Sequence, residues 1–254
     1  MTTLVPVLRS EWTKLRSLRS TVACFAVVVL AMIGLAVFMG ARWAHQSGAI
    51  ASSFDATDVS LSGVYIAELV VGTLGVLVIA SEYGTGLIRA TFAAVPRRRR
   101  VLVAKASVVT AGVVVVGELA SFASFTLCQA LLEHKQAGLS LADPGALRAV
   151  AGSGLYLGAV TLLGFGLGSA IRNTAGALST FFGVMFVPTA LVDLLPTSWR
   201  NVLINYMPAN AGSQIFTVDR VHGALGPWQG LGVFCCYAAV ALLLGMGLVS
   251  VRDT

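Results

Sequence analysis

Two glutamates lie inside long apolar runs of the sequence, where a carboxyl group needs a chemical reason. On insertion scales, an ionised Asp, Lys or Arg at the centre of a membrane helix costs about 2.5–3.5 kcal/mol. Glu68 and Glu118 could therefore provide a polar lining for a substrate path, or a protonatable switch within a helical bundle. Each could equally be a neutral acid that hydrogen-bonds across helices, Glu118 for example with Ser121 or a neighbouring span. The sequence leaves both interpretations open.

The other residues that commonly do chemistry form no recognisable site in the sequence. The four cysteines fall in apolar runs without a Cys-x-x-Cys pair, and the three histidines are isolated, so we expect no metal site. The phosphate-binding pattern Gly-x-x-x-x-Gly-Lys-Ser/Thr is missing, as is the metalloprotease pattern His-Glu-x-x-His. We therefore expect no catalytic residue and no cofactor bound by this chain.

The composition indicates the environment in which these residues work. Of the 254 residues 57% are apolar and only 11% are charged, whereas a typical soluble domain has about 25% charged residues. The mean hydropathy is +0.86. A chain of this kind cannot cover a surface exposed to water, so a soluble enzyme, a secreted domain and a disordered tail are excluded.

The apolar residues are grouped in runs that match the thickness of a membrane. A bilayer core of about 30 Å needs about 20 apolar residues in helical form. Six such runs occur, at residues 21–41, 60–80, 106–132, 147–171, 175–195 and 229–251. They predict an all-α polytopic membrane protein with six transmembrane helices, in which residues 1–254 form a single membrane domain.

The Lys and Arg residues divide unevenly between alternate loops. Twelve fall on the side of the N-terminus, including residues 97–100, while five fall on the other side together with six of the acids. Because cytoplasmic loops carry an excess of Lys and Arg, both termini are expected to be cytoplasmic. This arrangement accounts for the net charge of +6 without a nucleic-acid partner.

The segment before the first span has the periodicity of an amphipathic helix. In residues 1–20, basic and hydroxyl side chains lie between apolar positions that recur three and four residues apart. We expect this helix to lie in the cytoplasmic interface and contact lipid headgroups; an ordinary basic flank is the alternative. The apolar positions are Leu4, Val7, Leu8, Trp12, Leu15 and Leu18.

Two further segments are too short to span but too apolar for simple turns. In residues 82–98, the glycines at positions 84 and 86 permit a sharp exit from span two, a short amphipathic helix can follow, and Pro96 ends it before four arginines. We interpret the arginines first as a topology signal that contacts phosphate headgroups.

Between spans five and six, residues 197–227 predict a helical hairpin that dips into the outer leaflet, or a surface loop with two interfacial helices.

The fourth span carries two glycine pairs at a spacing of four residues. Gly154 and Gly158 form one pair, and Gly164 and Gly168 form the other. Such pairs let helices approach closely. We expect them to serve packing within one bundle, with contact between two subunits as the second interpretation.

In this order, the features resemble the permease subunit of a type 2 ATP-binding-cassette transporter over nearly the whole chain. The resemblance rests on the amphipathic N-terminal helix, on six spans with both ends inside, and on two short segments. These are the inner segment SEYGTGLIRAT at residues 81–91, which closes with VPRR at residues 95–98, and the outer segment MPANA at residues 207–211.

The resemblance implies a non-enzymatic subunit of a bacterial plasma-membrane exporter. Its partners would be a cytoplasmic ATPase dimer, which binds Mg-ATP, and a second copy of this permease or a similar one. The substrate would be an amphipathic molecule that moves outward. The inner segment would be the coupling helix that sits in a cleft of the ATPase, and its residues would be Glu82, Tyr83, Gly84, Gly86, Leu87, Ile88, Arg89, Phe92 and Pro96.

Two other classes of function remain as hypotheses from the sequence. A polytopic scaffold or sensor would use the same amphipathic segments on lipid and would need no ATPase. An intramembrane enzyme would depend on Glu68 or Glu118, and replacing either by Gln would then abolish turnover in the purified chain.

Overall fold

The computed structural model describes residues 4–45, 55–87, 98–132, 139–218 and 223–251. These residues form helices and connecting turns, and they contain no strand. The helices are α1 Leu4–Ser17, α2 Arg19–His45, α3 Ala56–Leu61, α4 Val64–Thr85, α5 Arg98–Leu132, α6 Ala146–Ile171, α7 Thr174–Val192, α8 Thr197–Leu203, α9 Pro208–Ser213 and α10 Pro227–Val251, with a 3₁₀ turn at Ile204–Tyr206.

Six of these elements are long and apolar enough to cross a membrane. They are α2, the consecutive pair α3 and α4, then α5, α6, α7 and α10. The prediction of an all-helical chain with six candidate spans is therefore confirmed. The longest apolar elements leave large side chains exposed, for example Leu30 on α2 with 71% of its surface accessible and Leu243 on α10 with 68%. Exposure of this extent suits a multi-pass membrane protein whose surface contacts lipid.

The third span begins earlier than the hydropathy predicts. Helix α5 starts at Arg98 and has 35 residues, so at 1.5 Å per residue it is about 50 Å long, well beyond an apolar layer of about 30 Å. Part of the basic run therefore belongs to the helix rather than to a loop. The physical reason is that Arg is a good helix former, so the helix continues past the end of the apolar run.

The second span is interrupted where it passes α2. Asp55 caps α3, because its Oδ1 accepts hydrogen bonds from the backbone N–H groups of Thr57 at 2.7 Å and Asp58 at 3.2 Å. The chain then turns at Gly63 and continues as α4. A Cβ at Gly63 would overlap the backbone of Met32, so the missing side chain lets α2 and this junction touch.

Helix α6 lies at the centre of the bundle, and glycines on several of its faces make this possible. Of the residues in its apolar centre 72% are buried, compared with 17% for α2. Gly158 faces Val114 of α5, Gly164 faces the backbone of α4, and Gly166 faces the backbone of α10 at Ala241. The glycine pairs therefore serve packing inside this bundle.

One end of the bundle holds α1 and is called the α1 end. The C-terminal ends of α4, α6 and α10 meet there, because Arg172, directly after α6, lies over the Tyr83 ring at 5.1 Å and donates to the carbonyl oxygen of Leu248 at 3.3 Å. At the opposite end, the segment after α9 is fixed by Arg148, whose guanidinium donates to the carbonyl oxygens of Ile215 at 3.0 Å and Thr217 at 3.1 Å. The α1 end is the one for which the charge distribution predicts a cytoplasmic position.

Candidate functional site

Four charged side chains from three helices meet at the α1 end, and we call them the ion cluster. It consists of Glu11 and Lys14 from α1, Glu82 from the last turn of α4, and Lys105 from α5. The Lys105 ammonium donates to Glu11 Oε2 at 2.6 Å and to Glu82 Oε1 at 2.7 Å. Lys14 donates to Glu11 Oε1 at 2.8 Å and lies 3.5 Å from Glu82 Oε1. The cluster is electrically neutral and ties α1 to both α4 and α5.

Burial differs sharply between the two lysines. The Lys105 side chain is 4% exposed and that of Lys14 is 44% exposed, while both carboxylates are largely covered. Burial alone would raise the pKa of Glu11, but Lys105 and Lys14 outweigh it and hold that pKa below its usual range. Burial would lower the pKa of Lys14, but Glu11 and Glu82 raise it overall. Both groups are therefore held in their charged forms.

These shifts predict a pH window for the docking of α1. Because the folded-state pKa of Glu11 is lowered, its stabilisation is complete above the ordinary value of 4.5 and is lost as pH falls through the lowered value. The raised pKa of Lys14 gives stabilisation below 10.5 that is lost as pH rises through the raised value. We expect the distance between spin labels at the exposed positions Arg16 and Val103 to stay constant near neutral pH and to increase at both extremes. A distance unchanged well below pH 4.5 would contradict this prediction.

A cavity of about 650 Å³ adjoins the ion cluster. It lies between α1, α2, α4 and α5, with the cluster at one side and apolar side chains such as Leu77 and Val109 along its walls. Glu82 contributes to the wall, and its second carboxylate oxygen, Oε2, is buried without a hydrogen bond from any residue that the structure describes. The cavity is therefore bordered by apolar side chains, by the ion cluster and by hydroxyl residues of α2 and α4 such as Thr21 and Ser81.

The chain leaves α4 close to this cluster. Gly86 follows the helix with φ +73°, a left-handed conformation that glycine adopts readily, and Leu87 after it is 60% exposed. Gly84 borders open space, and Tyr83 lies beneath Arg172. The helix of the second span therefore ends at Gly86, one of the two glycines at which the sequence predicts its exit.

The residues of the predicted coupling segment fall into three groups. Glu82 pairs with the chain's own lysines, so its described contacts are intramolecular, and Tyr83 packs against the end of α6. Gly84, Gly86 and Leu87 lie at the surface where α4 ends. Ile88, Arg89, Phe92 and Pro96 lie outside the described residues.

Glu68 has a defined partner inside the bundle. Its carboxylate accepts a hydrogen bond from the Tyr156 hydroxyl of α6, and both residues are buried. The Tyr156 ring packs against Phe216 and Phe234, with centroids 5.5 Å and 5.2 Å apart. Glu68 therefore takes part in interhelical packing, which matches the hydrogen-bonding interpretation of this glutamate.

Glu118 has a different environment. Its carboxyl group lies directly against Gly154 of α6, where an added Cβ would be 2.6 Å from the carboxyl carbon. Oε2 is buried and accepts no hydrogen bond from a described residue. Ser121 instead bonds the Gly117 carbonyl oxygen at 2.8 Å and Ser153 at 2.5 Å, so the pairing of Glu118 with Ser121 is not formed. The two glutamates contact different positions of α6 and do not form a shared site.

Sequence reasoning missed the central pair of the ion cluster, Glu11 and Lys105. A signal was present, because Glu11 is the single acid on an otherwise basic helix and Lys105 stands at the start of an apolar run. Neither observation alone indicates the other residue, since 94 positions separate them.

Comparison with protein families and with curated proteins adds no relative. The chain matches no protein-family model, and no curated protein aligns with it significantly.

Proposed function

We propose that this chain is the membrane-spanning permease subunit of an ATP-driven exporter of the type 2 ATP-binding-cassette class. It would form the translocation path and couple it to a separate cytoplasmic ATPase. The observation that carries the proposal is the ion cluster, whose salt bridges join the amphipathic α1, the end of α4 and the start of α5. This contact lies where the sequence predicts a segment that docks on the ATPase.

The geometry suggests how a movement of the ATPase would be transmitted to the transmembrane helices. The segment of residues 88–97 connects α4 to α5, and both helices are held to α1 through Glu82 and Lys105. A movement of that segment would therefore shift α4, α5 and α1 together. Because α4 and α5 both pack on the central α6, such a shift would pass into the membrane region. In this role Glu82 is a positioning residue, and Leu87 is the exposed apolar contact.

The remaining partners follow from the same proposal. The ATPase dimer would bind Mg-ATP, and the permease would pair with a second copy or a similar chain in a bacterial plasma membrane. Helix α1 would lie in the cytoplasmic interface, where its exposed residues Arg9, Trp12 and Arg16 suit contact with lipid headgroups. Transport would be outward.

Introducing a charge at the predicted docking surface tests this proposal. We expect Leu87→Asp and Phe92→Asp to remove the cytoplasmic ATPase from the complex purified from native membranes, because a carboxylate in an apolar interface must be desolvated without a partner. Bound ATPase should fall about tenfold or more, which corresponds to roughly 1.4 kcal/mol. The measurement is the stoichiometry of co-purified ATPase together with ATP hydrolysis.

The control is Val202→Asp, which replaces a similarly exposed apolar residue on α8 at the predicted outer side. It should leave association and ATP hydrolysis unchanged. If both docking variants retain the ATPase, or if no ATPase accompanies the unmodified chain, the coupling role is wrong and a scaffold or sensor becomes the better interpretation.

A further inference from the structure

The cavity beside the ion cluster is far larger than a packing defect. Its volume is about 650 Å³, whereas protein interiors contain few voids larger than a water molecule. A cavity of about 150 Å³ is enough to hold benzene, so this one has room for a much larger hydrocarbon. The lining decides whether water or hydrocarbon is the better occupant.

The surface around this cavity is mostly apolar. Leu77 and Val78 of α4 are partly buried and line it together with Val108 of α5, and Leu15 of α1 and Cys24 of α2 complete the apolar lining. A buried water molecule needs about two to four polar partners, and these side chains offer almost none. The walls therefore suit hydrocarbon better than water.

The charged residues and the α4 hydroxyls that border the cavity already have partners within the chain. Lys105 donates to both carboxylates of the ion cluster. The Ser81 hydroxyl donates to the carbonyl oxygen of Leu77 at 2.6 Å, and the Thr85 hydroxyl donates to that of Ser81 at 3.0 Å. Thr21 of α2 is only 2% exposed, so it adds little polar surface to the wall. An occupant therefore needs to supply neither a charge nor a hydrogen bond.

The cavity is not enclosed, and the exposed residues of its lining indicate where it opens. They lie at the junction of α1 with α2 and where the chain leaves α4, and they are Leu18, Ser20, Ser81, Thr85 and Leu87. Because the amphipathic α1 is expected in the membrane interface, this opening lies where the acyl chains of one leaflet begin. Lipid chains are therefore the nearest source of hydrocarbon.

We propose that the cavity binds one acyl chain of a phospholipid from the leaflet at the α1 end. The acyl chain enters between Leu18 and Leu87 and lies along Leu77, Val78 and Val108, while the head group stays outside in the interface. Because lipid tails are as apolar as leucine, the binding energy comes from van der Waals contacts with these walls. The site therefore selects an acyl chain and not a head group. This inference is independent of the proposed function.

A photoreactive lipid tests the site in the unmodified protein. The protein is placed in phosphatidylcholine nanodiscs that contain a phosphatidylcholine with a diazirine on its palmitoyl chain. After illumination, mass spectrometry identifies the labelled residues. Val108 and Leu231 are both 9% exposed, but of these two only Val108 lines the cavity. We expect labelling at Val108 to exceed that at Leu231 about fivefold or more, because only an acyl chain inside the cavity contacts Val108.

Filling the cavity provides a second test. Leu77→Trp should lower the labelling of Val108 about tenfold, because the indole occupies the volume that the acyl chain needs. Leu30→Trp, at an exposed position of α2, is the matched control and should leave that labelling unchanged. A photoreactive phosphatidylglycerol should label Val108 within about twofold of the phosphatidylcholine, since the head group lies outside the site. A larger difference would contradict selection of the acyl chain alone.

Other results would overturn the site or its occupant. Equal labelling of Val108 and Leu231 would show that no acyl chain enters, and this result does not depend on whether Leu77→Trp folds. Unchanged labelling in a folded Leu77→Trp protein would place the lipid outside the cavity. If a small fraction of palmitic acid removes the label from Val108 but not from Leu30, the occupant is a fatty acid. Rapid modification of Cys24 by a charged, membrane-impermeant thiol reagent would show that the cavity holds water.

Discussion

Replacing Lys105 by methionine is expected to cause one of the largest losses of stability available in this chain. The substitution keeps the length of the side chain but leaves Glu11 and Glu82 without their buried cation. Removing one partner of a buried ion pair costs about 3–5 kcal/mol. We expect a loss of this size in the free energy of unfolding, measured by SDS titration in mixed micelles, and release of α1 from the bundle.

The loss should depend on pH in a defined direction. A carboxylate that has lost its cation takes up a proton more readily, so the destabilisation by Lys105→Met should be smaller in mild acid than at neutral pH. Arg100→Met, at an exposed position on the same helix, is the matched control and should change stability by less than about 0.5 kcal/mol.

A combined variant separates the ion cluster from simple packing. Glu11→Gln, Glu82→Gln and Lys105→Met together remove all the buried charges of this contact. Because a neutral replacement of a buried ion pair is often tolerated, the triple variant should recover most of the stability lost by Lys105→Met alone. If the single and triple variants are equally unstable, the methionine acts through packing and the charge argument is wrong.

A second large effect is expected from a single methyl group at the centre of the bundle. In Gly164→Ala the new Cβ would overlap the carbonyl oxygen of Gly72 and lie 3.3 Å from the backbone nitrogen of Val76. Both contacts are backbone atoms of α4, so no side chain can rotate away. We expect a cost of about 1–3 kcal/mol in the free energy of unfolding, since overpacking forces a shift of the backbone.

Gly34→Ala is the control for Gly164→Ala. Gly34 lies in α2, within a span, and nothing is within 4 Å of the position that its Cβ would occupy. Alanine there should be neutral or stabilising, because it lowers the entropy of the unfolded chain and favours the helix. Equal stability of the two alanine variants would contradict the close packing of α4 on α6.

The class of this protein could be predicted from sequence because hydropathy is a local property. Each span is a run of apolar residues of about membrane length, so the number and order of the six candidate spans follow from counting along the chain. The left-handed exit at Gly86 and the close packing of the glycines on α6 were also predictable, because glycine permits each of them by lacking a side chain. The early start of α5 at Arg98 was not predicted, since hydropathy marks the apolar layer and not the end of the helix.

Only the tertiary structure decided which residues meet in the ion cluster and at Glu68. Glu11 and Lys105 are 94 residues apart, and Glu68 and Tyr156 are 88 residues apart. Whether two such residues meet depends on how each helix is rotated about its axis and on which helix lies beside it. An apolar span gives no local signal for either, because many rotations bury similar apolar area in the bilayer. Packing of α4, α5 and α10 against the glycines of α6 fixes those rotations, and it thereby decides which charges pair and where the cavity lies.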